Sequence, residues 1–227
     1  MKDVSVIIRN HNNKKTVLRT LKSVFSQSLS LLRYEIIFVD DGSTDNSLQY
    51  IGRSFLEKMH VVQTGGIGAV EALNAGIRLA KGVWYTILDA DDILPPSALE
   101  TMLNEAKKHK GAAVIYGDYL EYIENSPFSC YWNVEKNIYH TLAGGLLIKK
   151  SIAMQYKLYD EGLCFPEYDL LKNISLKHKM YYLPEPVYYY FRHGESLTSK
   201  KGFVKKGIEQ LRRKHKIVLP IRSYDWK

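Results

Sequence analysis

The sequence predicts an α/β fold built on a mostly parallel, twisted sheet with helices on both of its faces. Short apolar runs alternate with segments in which apolar residues recur at helical spacing, a pattern typical of alternating strands and helices. The runs are apolar at successive positions, as in strands that are buried on both faces. The 227 residues, 45% of them hydrophobic and 25% charged, have the size and composition of one large globular domain. This composition excludes a disordered chain, a collagen-like repeat and a membrane-embedded bundle.

The predicted elements alternate along the first half of the chain and then change character. Strands are predicted over residues 4–8, 34–39, 61–62, 84–88 and 112–116. Helices are predicted over 16–25, 45–59 and 70–80, and a fourth is opened by Pro95 and Pro96. Gly82 follows the third helix, where a left-handed residue often ends a helix. After residue 117 tyrosines become dense and the alternation stops, with a short helix predicted over 168–176 and a strand over 180–191.

The positive charge of the chain lies in its C-terminal tail. Residues 200–227 contain 10 of the 32 Lys and Arg residues and 2 of the 24 Asp and Glu residues, so the tail carries the whole net charge of +8. A nucleic-acid partner is therefore not expected, because the rest of the chain is neutral overall. If the tail is helical, one side is apolar (Phe203, Val204, Ile208, Leu211). That side either lies on an anionic bilayer or packs against the domain, and both alternatives remain open.

We expect neither a targeting segment nor a membrane-spanning segment in this sequence. The apolar run 4–8 is too short for the core of a signal peptide, and no run approaches the ~20 apolar residues of a spanning helix. Cys130 and Cys164 are too few for a disulfide framework and stand in no metal-binding spacing. We expect a cytoplasmic protein, with peripheral contact at the inner face of the membrane through the basic tail as an open alternative.

Polar side chains follow three of the predicted strands. The first strand ends in Arg9-Asn10-His11-Asn12, the second in Asp40-Asp41-Gly42-Ser43 and the fourth in Asp89-Ala90-Asp91-Asp92. In such sheets the ligand binds beyond the carboxyl ends of the strands, so these groups are expected at one edge. Five carboxylates collected there repel one another unless a cation or a proton-donating ligand joins them.

Each acidic group has a chemical and a structural interpretation. Alternation along the strand end places Asp89 and Asp91 on one side, which suits Mg²⁺ or Mn²⁺, although an acidic turn before a helix has the same composition. Ser43, Thr44 or Asp45 can cap a helix, but capping does not explain the adjacent Asp40 and Asp41. A carboxylate at that place can accept the N–H of a pyrimidine base.

Four motifs in this order resemble those of the family-2 glycosyltransferases, which have the GT-A fold. They are the Arg9–Asn12 stretch after the first strand, then VDDGSTDNS, then ALNAGIRLAKG, then a strand closing on DADD. The match runs from residue 3 to about 100 and resumes more weakly at 165–199. It implies a Rossmann-like donor-binding half (1–116), an acceptor-side half (117–199) and a separate basic tail (200–227).

The resemblance also implies an activity. Members of the family are inverting enzymes that move a sugar, here a hexosyl or N-acetylhexosaminyl group, from a nucleotide-diphosphate sugar to a hydroxyl acceptor. A UDP-sugar donor, a Mn²⁺ or Mg²⁺ cofactor and a glycan or lipid-linked acceptor follow as expectations, in surface polysaccharide or glycolipid synthesis. A homodimer is left open.

Carried over by position, the resemblance assigns the donor-binding residues. Asp41, with Asp40 beside it, contacts the uracil, and His11 stands where a tyrosine usually packs on the base. Asp91 holds the metal, with Asp89 or Asp92 on the ribose or a metal-bound water.

Two later segments complete the site that the resemblance implies. Phe165-Pro166-Glu167-Tyr168-Asp169 resembles the segment that carries the catalytic base, so Glu167 takes that position. Arg192 and His193 begin a segment that lies near the diphosphate.

The chain departs from the family pattern at three positions. Arg9 replaces a proline or small polar residue, and it either reaches the base or a phosphate or narrows the pocket. Leu73 replaces a common arginine, with Glu71 at an acidic position of the same pattern. Glu167 stands where aspartate is commoner, and its other interpretation is an acid that stabilises a helix N-terminus.

Two other functions are weighed against a glycosyltransferase. A sugar-phosphate nucleotidyltransferase is disfavoured because no glycine-rich phosphate loop follows the first strand. A catalytically degenerate GT-A subunit that binds or scaffolds is supported by the substituted Arg9 and Glu167 and by a length below that usual for the family.

Overall fold

The computed structural model describes residues 2–216 and 218–221, and its centre is an eight-stranded sheet. The strands are β1 Val4–Asn10, β2 Tyr34–Asp40, β3 His60–Gln63, β4 Trp84–Asp89, β5 Ala112–Ile123, β6 Ser129–Trp132, β7 Leu146–Lys149 and β8 Lys179–Arg192. The helices are α1 Val17–Phe25, α2 Ser47–Ile51, α3 Arg53–Leu56, α4 Ala69–Leu79, α5 Ala98–Lys108, α6 Lys150–Gln155, α7 Pro166–Ser175 and α8 Lys201–His215. The sheet order is β3-β2-β1-β4-β7-β5-β6, with β8 paired to β5.

The first half of the sheet is parallel. β1 lies between β2 and β4 and is parallel to both, and β3 adds to the outer edge of β2. Every residue of β2 is buried, which explains its uninterrupted apolar run. The α/β fold with a mostly parallel sheet is confirmed here.

The second half is a mixed sheet. β7 is antiparallel to both β4 and β5 and joins the two halves. β5, predicted over 112–116, continues to Ile123 and pairs in parallel with the 14-residue strand β8. The four-residue strand β6 forms the edge.

Helices cover both faces of the sheet, as predicted. On one face Leu21 of α1 and Met102 of α5 belong to a buried apolar cluster, and on the other Ile77 of α4 and Leu171 of α7 belong to a second. Gly76 lets α4 approach closely, because a Cβ there would lie 2.7 Å from Val39 Cγ2 and 2.8 Å from Ile7 Cγ2.

Three predicted local features are wrong. The helix over 45–59 breaks into α2 and α3 at Gly52, whose φ of 76° is unavailable inside a helix. Pro95 and Pro96 precede α5, which begins at Ala98. Gly82 is not in the left-handed conformation. The position requires glycine for another reason, since a Cβ there would lie 2.6 Å from Ser5 N.

The described part of the tail is helical and docks on the domain. Phe203, Val204 and Leu211 of α8 pack into the second apolar cluster, which is the second alternative for this segment. The remainder of the predicted tail at 217 and 222–227 lies outside the described residues. Among the described helices, none is long and apolar enough to cross a membrane.

Candidate active site

The carboxyl ends of β1, β2 and β4 meet at one edge of the sheet. Asn10 at the end of β1 is in register with Asp40 of β2, and Arg9 is in register with Asp89 of β4. The polar segments that follow these strands are therefore neighbours, as the sequence predicted.

Asp40 points into the turn that follows β2. It is 4% exposed and accepts hydrogen bonds from Asn10 Nδ2 at 2.7 Å and from Ser43 Oγ at 2.6 Å. These bonds hold the end of β1 against the turn.

Asp41 fixes a glycine-rich loop before α4. Its carboxylate accepts hydrogen bonds from Thr64 Oγ1 at 2.7 Å, Ile67 N at 2.8 Å and Gly68 N at 3.0 Å. His11 Nδ1 lies 2.7 Å from the Asp41 backbone oxygen, and the His11 side chain is exposed. The exposed His11 ring thus contacts the backbone of Asp41, while the Asp41 carboxylate binds the loop.

Arg9 and Asp89 form an ion pair across β1 and β4. Arg9 Nη2 lies 2.6 Å from Asp89 Oδ1, and both side chains are half-buried. Burial raises the pKa of Asp89, while the Arg9 charge opposes that rise.

Asp91 is joined to the far end of the chain by His193. His193 Nε2 lies 2.9 Å from Asp91 Oδ2, and the hydrogen bond that His193 donates to Asp91 raises the pKa of His193. β8 therefore returns to the end of β4 and brings two residues 102 positions apart into contact.

Asp92 turns away from this edge into the protein. It is 1% exposed, and its oxygens accept hydrogen bonds from Tyr188 Oη at 2.5 Å and Phe191 N at 2.7 Å. Burial, followed by the charges of Asp91 and Asp89, raises its pKa well above the ordinary value. Its position ties β4 to β8.

Glu167 lies in the first turn of α7, and the charges of Arg9 and Asp89 act on its carboxyl group. Pro166 opens the helix, and the Glu167 side chain is half-buried. Burial raises the pKa of Glu167 to about 7, with the Arg9 charge lowering it and the Asp89 charge raising it. The carboxyl group is therefore within electrostatic range of both, and it is a stronger base than an exposed glutamate.

Residues 5–159 match the model of the family described as Glycosyl transferase family 2. The chain belongs to this family. The matched segment contains the ends of β1, β2 and β4, whereas Glu167 and His193 lie beyond it.

Known glycosyltransferases extend this finding. The chain is 29% identical over 181 residues to glycosyltransferase GlyG of Streptococcus pneumoniae serotype 4, an alignment that covers 74% of this chain and 56% of GlyG. The fold resembles Staphylococcus aureus TarS 1-349 in complex with UDP-GlcNAc, with a TM-score of 0.73 at 20% identity, covering 86% of this chain and 60% of TarS 1-349. It also resembles the mannosyltransferase PcManGT from Pyrobaculum calidifontis in complex with GDP-Man and Mn²⁺, with a TM-score of 0.71 at 15% identity, covering 92% and 64% of the two chains. The GT-A fold is confirmed, and the chain spans little more than half the length of GlyG.

Two predicted donor-binding residues of this family-2 chain are engaged elsewhere. Glu71 forms an ion pair with Arg78 at 2.8 Å on α4. Arg192 is 3% exposed, lies 3.6 Å from Glu121 and donates to the Thr198 backbone oxygen at 3.3 Å. Neither is placed beside Asp91 or Glu167 by these contacts.

Asp91 is the predicted metal ligand, and His193 is a side chain that contacts it. Across residues 2–216 and 218–221, no group of three or more His, Cys, Asp or Glu side chains is arranged to hold a metal. The Asp91 carboxylate fits Mn²⁺ or Mg²⁺, because such ions are bound through one or two carboxylates together with substrate phosphates and water. The His193 nitrogen becomes a ligand only where its hydrogen bond to Asp91 is replaced.

Sequence reasoning missed two features of this family-2 site. Arg19 of α1 stacks on Phe191, 3.8 Å from the ring centroid, and donates to the Asp91 backbone oxygen at 2.5 Å. No motif marks it, since it is one basic residue on an amphipathic helix. The loop held by Asp41 did leave a signal in the sequence, namely the glycines Gly65, Gly66 and Gly68. All three adopt positive φ in the structure.

Proposed function

We propose that this chain is an inverting glycosyltransferase that uses a UDP-sugar and transfers a hexosyl or N-acetylhexosaminyl group to a hydroxyl acceptor. The observation that carries the proposal is Glu167, which is half-buried at the start of α7. Burial raises its pKa to about 7, and the charges of the Arg9–Asp89 pair at the carboxyl ends of β1 and β4 act on it. A base of that strength can take a proton from a hydroxyl as the bond to the sugar forms.

The donor half is assigned from the contacts at the ends of β1 and β2. The exposed His11 ring contacts the Asp41 backbone oxygen, and the Asp41 carboxylate binds the loop before α4. In this proposal a pyrimidine stacks on the imidazole while its N–H bonds to the carboxylate. Asp40 supports this arrangement from beneath by holding the turn. The similarity to a protein crystallised with UDP-GlcNAc supports a uridine nucleotide.

The reaction is a single displacement at the anomeric carbon. Glu167 accepts the acceptor hydroxyl's proton, the acceptor oxygen bonds to the sugar from the face opposite the diphosphate, and the bond to the diphosphate oxygen breaks to release UDP. Attack from that face inverts the anomeric configuration. Arg9 and Asp89 hold one another, and Arg9 keeps the carboxylate form of Glu167 accessible. When bound at Asp91, Mn²⁺ or Mg²⁺ supplies positive charge for the departing diphosphate.

The test of this function is UDP release. The full chain is incubated with Mn²⁺ and UDP-GlcNAc, UDP-glucose, UDP-galactose or GDP-mannose, without and with glycan acceptors. A uridine nucleotide sugar is expected to react fastest, and Glu167→Gln is expected to lower kcat by about 10²–10⁴-fold with unchanged UDP affinity. Glu185→Gln, an exposed acid on β8, is the matched control. Nucleotide binding without release from any donor would contradict the proposal and support a binding subunit.

The outer side of α8 supports contact with an anionic lipid surface, where a lipid-linked acceptor would reside. Lys201, Lys205 and Arg212 are all exposed, and their spacing places them within about 40° of one another around the helix. Phe203, Val204 and Leu211 of α8 pack against the domain, whereas Ile208, predicted on the same side, is exposed. Since most of the apolar side is turned inward, we treat this contact as electrostatic.

Vesicle binding tests this contact. Each base near an anionic surface contributes about 1 kcal/mol, so neutralising three bases is expected to weaken binding to phosphatidylglycerol vesicles by about 10²-fold. Neutralising the exposed bases Lys107, Lys108 and Lys110 is the matched control. Equal binding to phosphatidylcholine vesicles, or equal losses in both variants, would reject the contact.

A further inference from the structure

The C-terminal helix α8 contacts the segment that contains Glu167. Asp169 follows Glu167 by two residues on α7, and its side chain is 5% exposed. Lys214 Nζ lies 2.9 Å from Asp169 Oδ2, and His215 Nε2 lies 2.8 Å from Asp169 Oδ1. The buried carboxylate thus pairs with the Lys214 ammonium group and lies against the His215 ring, both from a helix more than 40 residues away in sequence.

The same helix also binds the chain segment that precedes Glu167. Lys214 Nζ lies 2.6 Å from Asp160 Oδ2, so one ammonium group bridges both ends of the segment 160–169. Gln210 accepts a hydrogen bond from Cys164 N at 2.9 Å and donates one to Gly162 O at 2.6 Å.

Packing fixes the distance between α8 and this segment. A Cβ at Gly207 would lie 2.5 Å from Phe165 Cδ2, so the helix rests directly on that ring. Phe203 meets the Phe165 ring edge-on, with 5.5 Å between centroids. Phe165 immediately precedes Pro166 and Glu167, so the position of α8 determines where α7 begins.

We propose that α8 positions the catalytic base, with Lys214 as the positioning residue that ties Asp160 to Asp169 around Glu167. This inference rests on the proposed function, in which Glu167 accepts the acceptor proton. Lys214 touches no reacting atom; it acts by limiting the movement of the segment that carries Glu167. A displacement of about 1 Å at a reacting group can cost about 10²-fold in rate, so a clamp of this kind has a measurable effect.

The matched variants are Lys214→Met and Arg213→Met. The two residues are neighbours on α8 and lose the same charge, but Arg213 pairs with Glu209 of its own helix at 2.8 Å. Lys214→Met is expected to lower kcat about tenfold, to leave UDP affinity unchanged, and to speed amide hydrogen exchange over 163–169. Arg213→Met is expected to change none of these quantities, and Lys214→Arg is expected to restore most of the rate.

Combination with Glu167→Gln separates positioning from general destabilisation. If Lys214 acts through Glu167, Lys214→Met has no further effect on the rate once the base is absent. Three results would overturn the inference. The losses of kcat in the two single variants could multiply in the double variant, or Arg213→Met could lose as much kcat as Lys214→Met. The third is that Lys214→Met changes neither the hydrogen exchange nor kcat. Full activity of Glu167→Gln would instead remove the proposed base, and the exchange experiment would still decide whether α8 holds the segment.

Discussion

Arg9 is predicted to set the pH at which the enzyme becomes active. Its charge lowers the pKa of Glu167, which burial has raised to about 7, so Arg9→Met removes the opposing effect. Asp89 loses its partner at 2.6 Å in this variant, and as long as it stays charged it continues to raise the pKa of Glu167.

The size of the shift follows from the charge removed. An opposite charge within about 4–6 Å lowers a carboxyl pKa by about 1–3 units. With a rise of about one unit, at the lower end of that range, we expect the pKa of Glu167 to be ~8 in Arg9→Met. At pH 7 a base with a pKa of ~7 is about half ionised, and one with a pKa of ~8 is about one-tenth ionised. The variant is therefore expected to be about fivefold slower at pH 7 and to recover by pH ~9.

The assay is kcat for UDP release at saturating donor between pH 5.5 and 9.5, since kcat reports groups in the substrate complex. Wild type is expected to lose rate below pH ~7, because the protonated base cannot accept a proton. Arg33→Met is the control, since Arg33 pairs with Asp3 at 2.7 Å at the opposite edge of the sheet. An acid limb that stays in place or moves to lower pH in Arg9→Met would refute the reasoning.

Three further predictions concern stability and donor binding. Because the folded pKa of Glu167 lies above the unfolded value of 4.5, the folded state binds the proton more tightly and stability falls as pH rises from 4.5 to about 7. Glu167→Gln is expected to remove this fall in the free energy of unfolding, which is at most about 3 kcal/mol. The measurement is the melting temperature against pH, and identical curves for the two proteins would contradict the prediction. Asp41→Asn places an amide against the Ile67 and Gly68 N–H donors. We therefore expect calorimetry to show UDP binding weakened at least about tenfold. Unchanged affinity would remove Asp41 from the donor site. Gly76→Ala is expected to destabilise by about 1–3 kcal/mol in denaturant titrations, whereas Gly111→Ala, which meets no heavy atom within 4 Å, should not; equal effects would mean that α4 does not rest on the sheet as closely as described.

The sequence predicts the parallel half of the fold well, because local patterns determine it. The apolar runs around Ile7, Ile37 and Ile87 are buried on both faces, and the polar residues after them meet at one edge as the topology rule requires. The split at Gly52 escaped prediction because the apolar spacing continues through it, while the backbone there turns to a positive φ.

Residue roles were harder to predict where neighbours in sequence point in opposite directions. Asp91 meets His193, whereas the adjacent Asp92 turns into the core, where Tyr188 binds it. Similarly, His193 reaches the site, whereas Arg192 is buried beside Glu121. These differences depend on how strand β8 pairs with strands that are distant in sequence, so no local sequence pattern predicts them.

The long parallel pairing of β8 with β5 has a consequence for folding kinetics. Asp91 meets His193 only after a contact across 102 residues has closed, and such contacts form slowly because the loop must first lose its conformational freedom. A chain in which β1 to β4 have already assembled therefore still lacks its completed catalytic edge. Recovery of UDP release during refolding should lag behind the burial of Trp84 in β4.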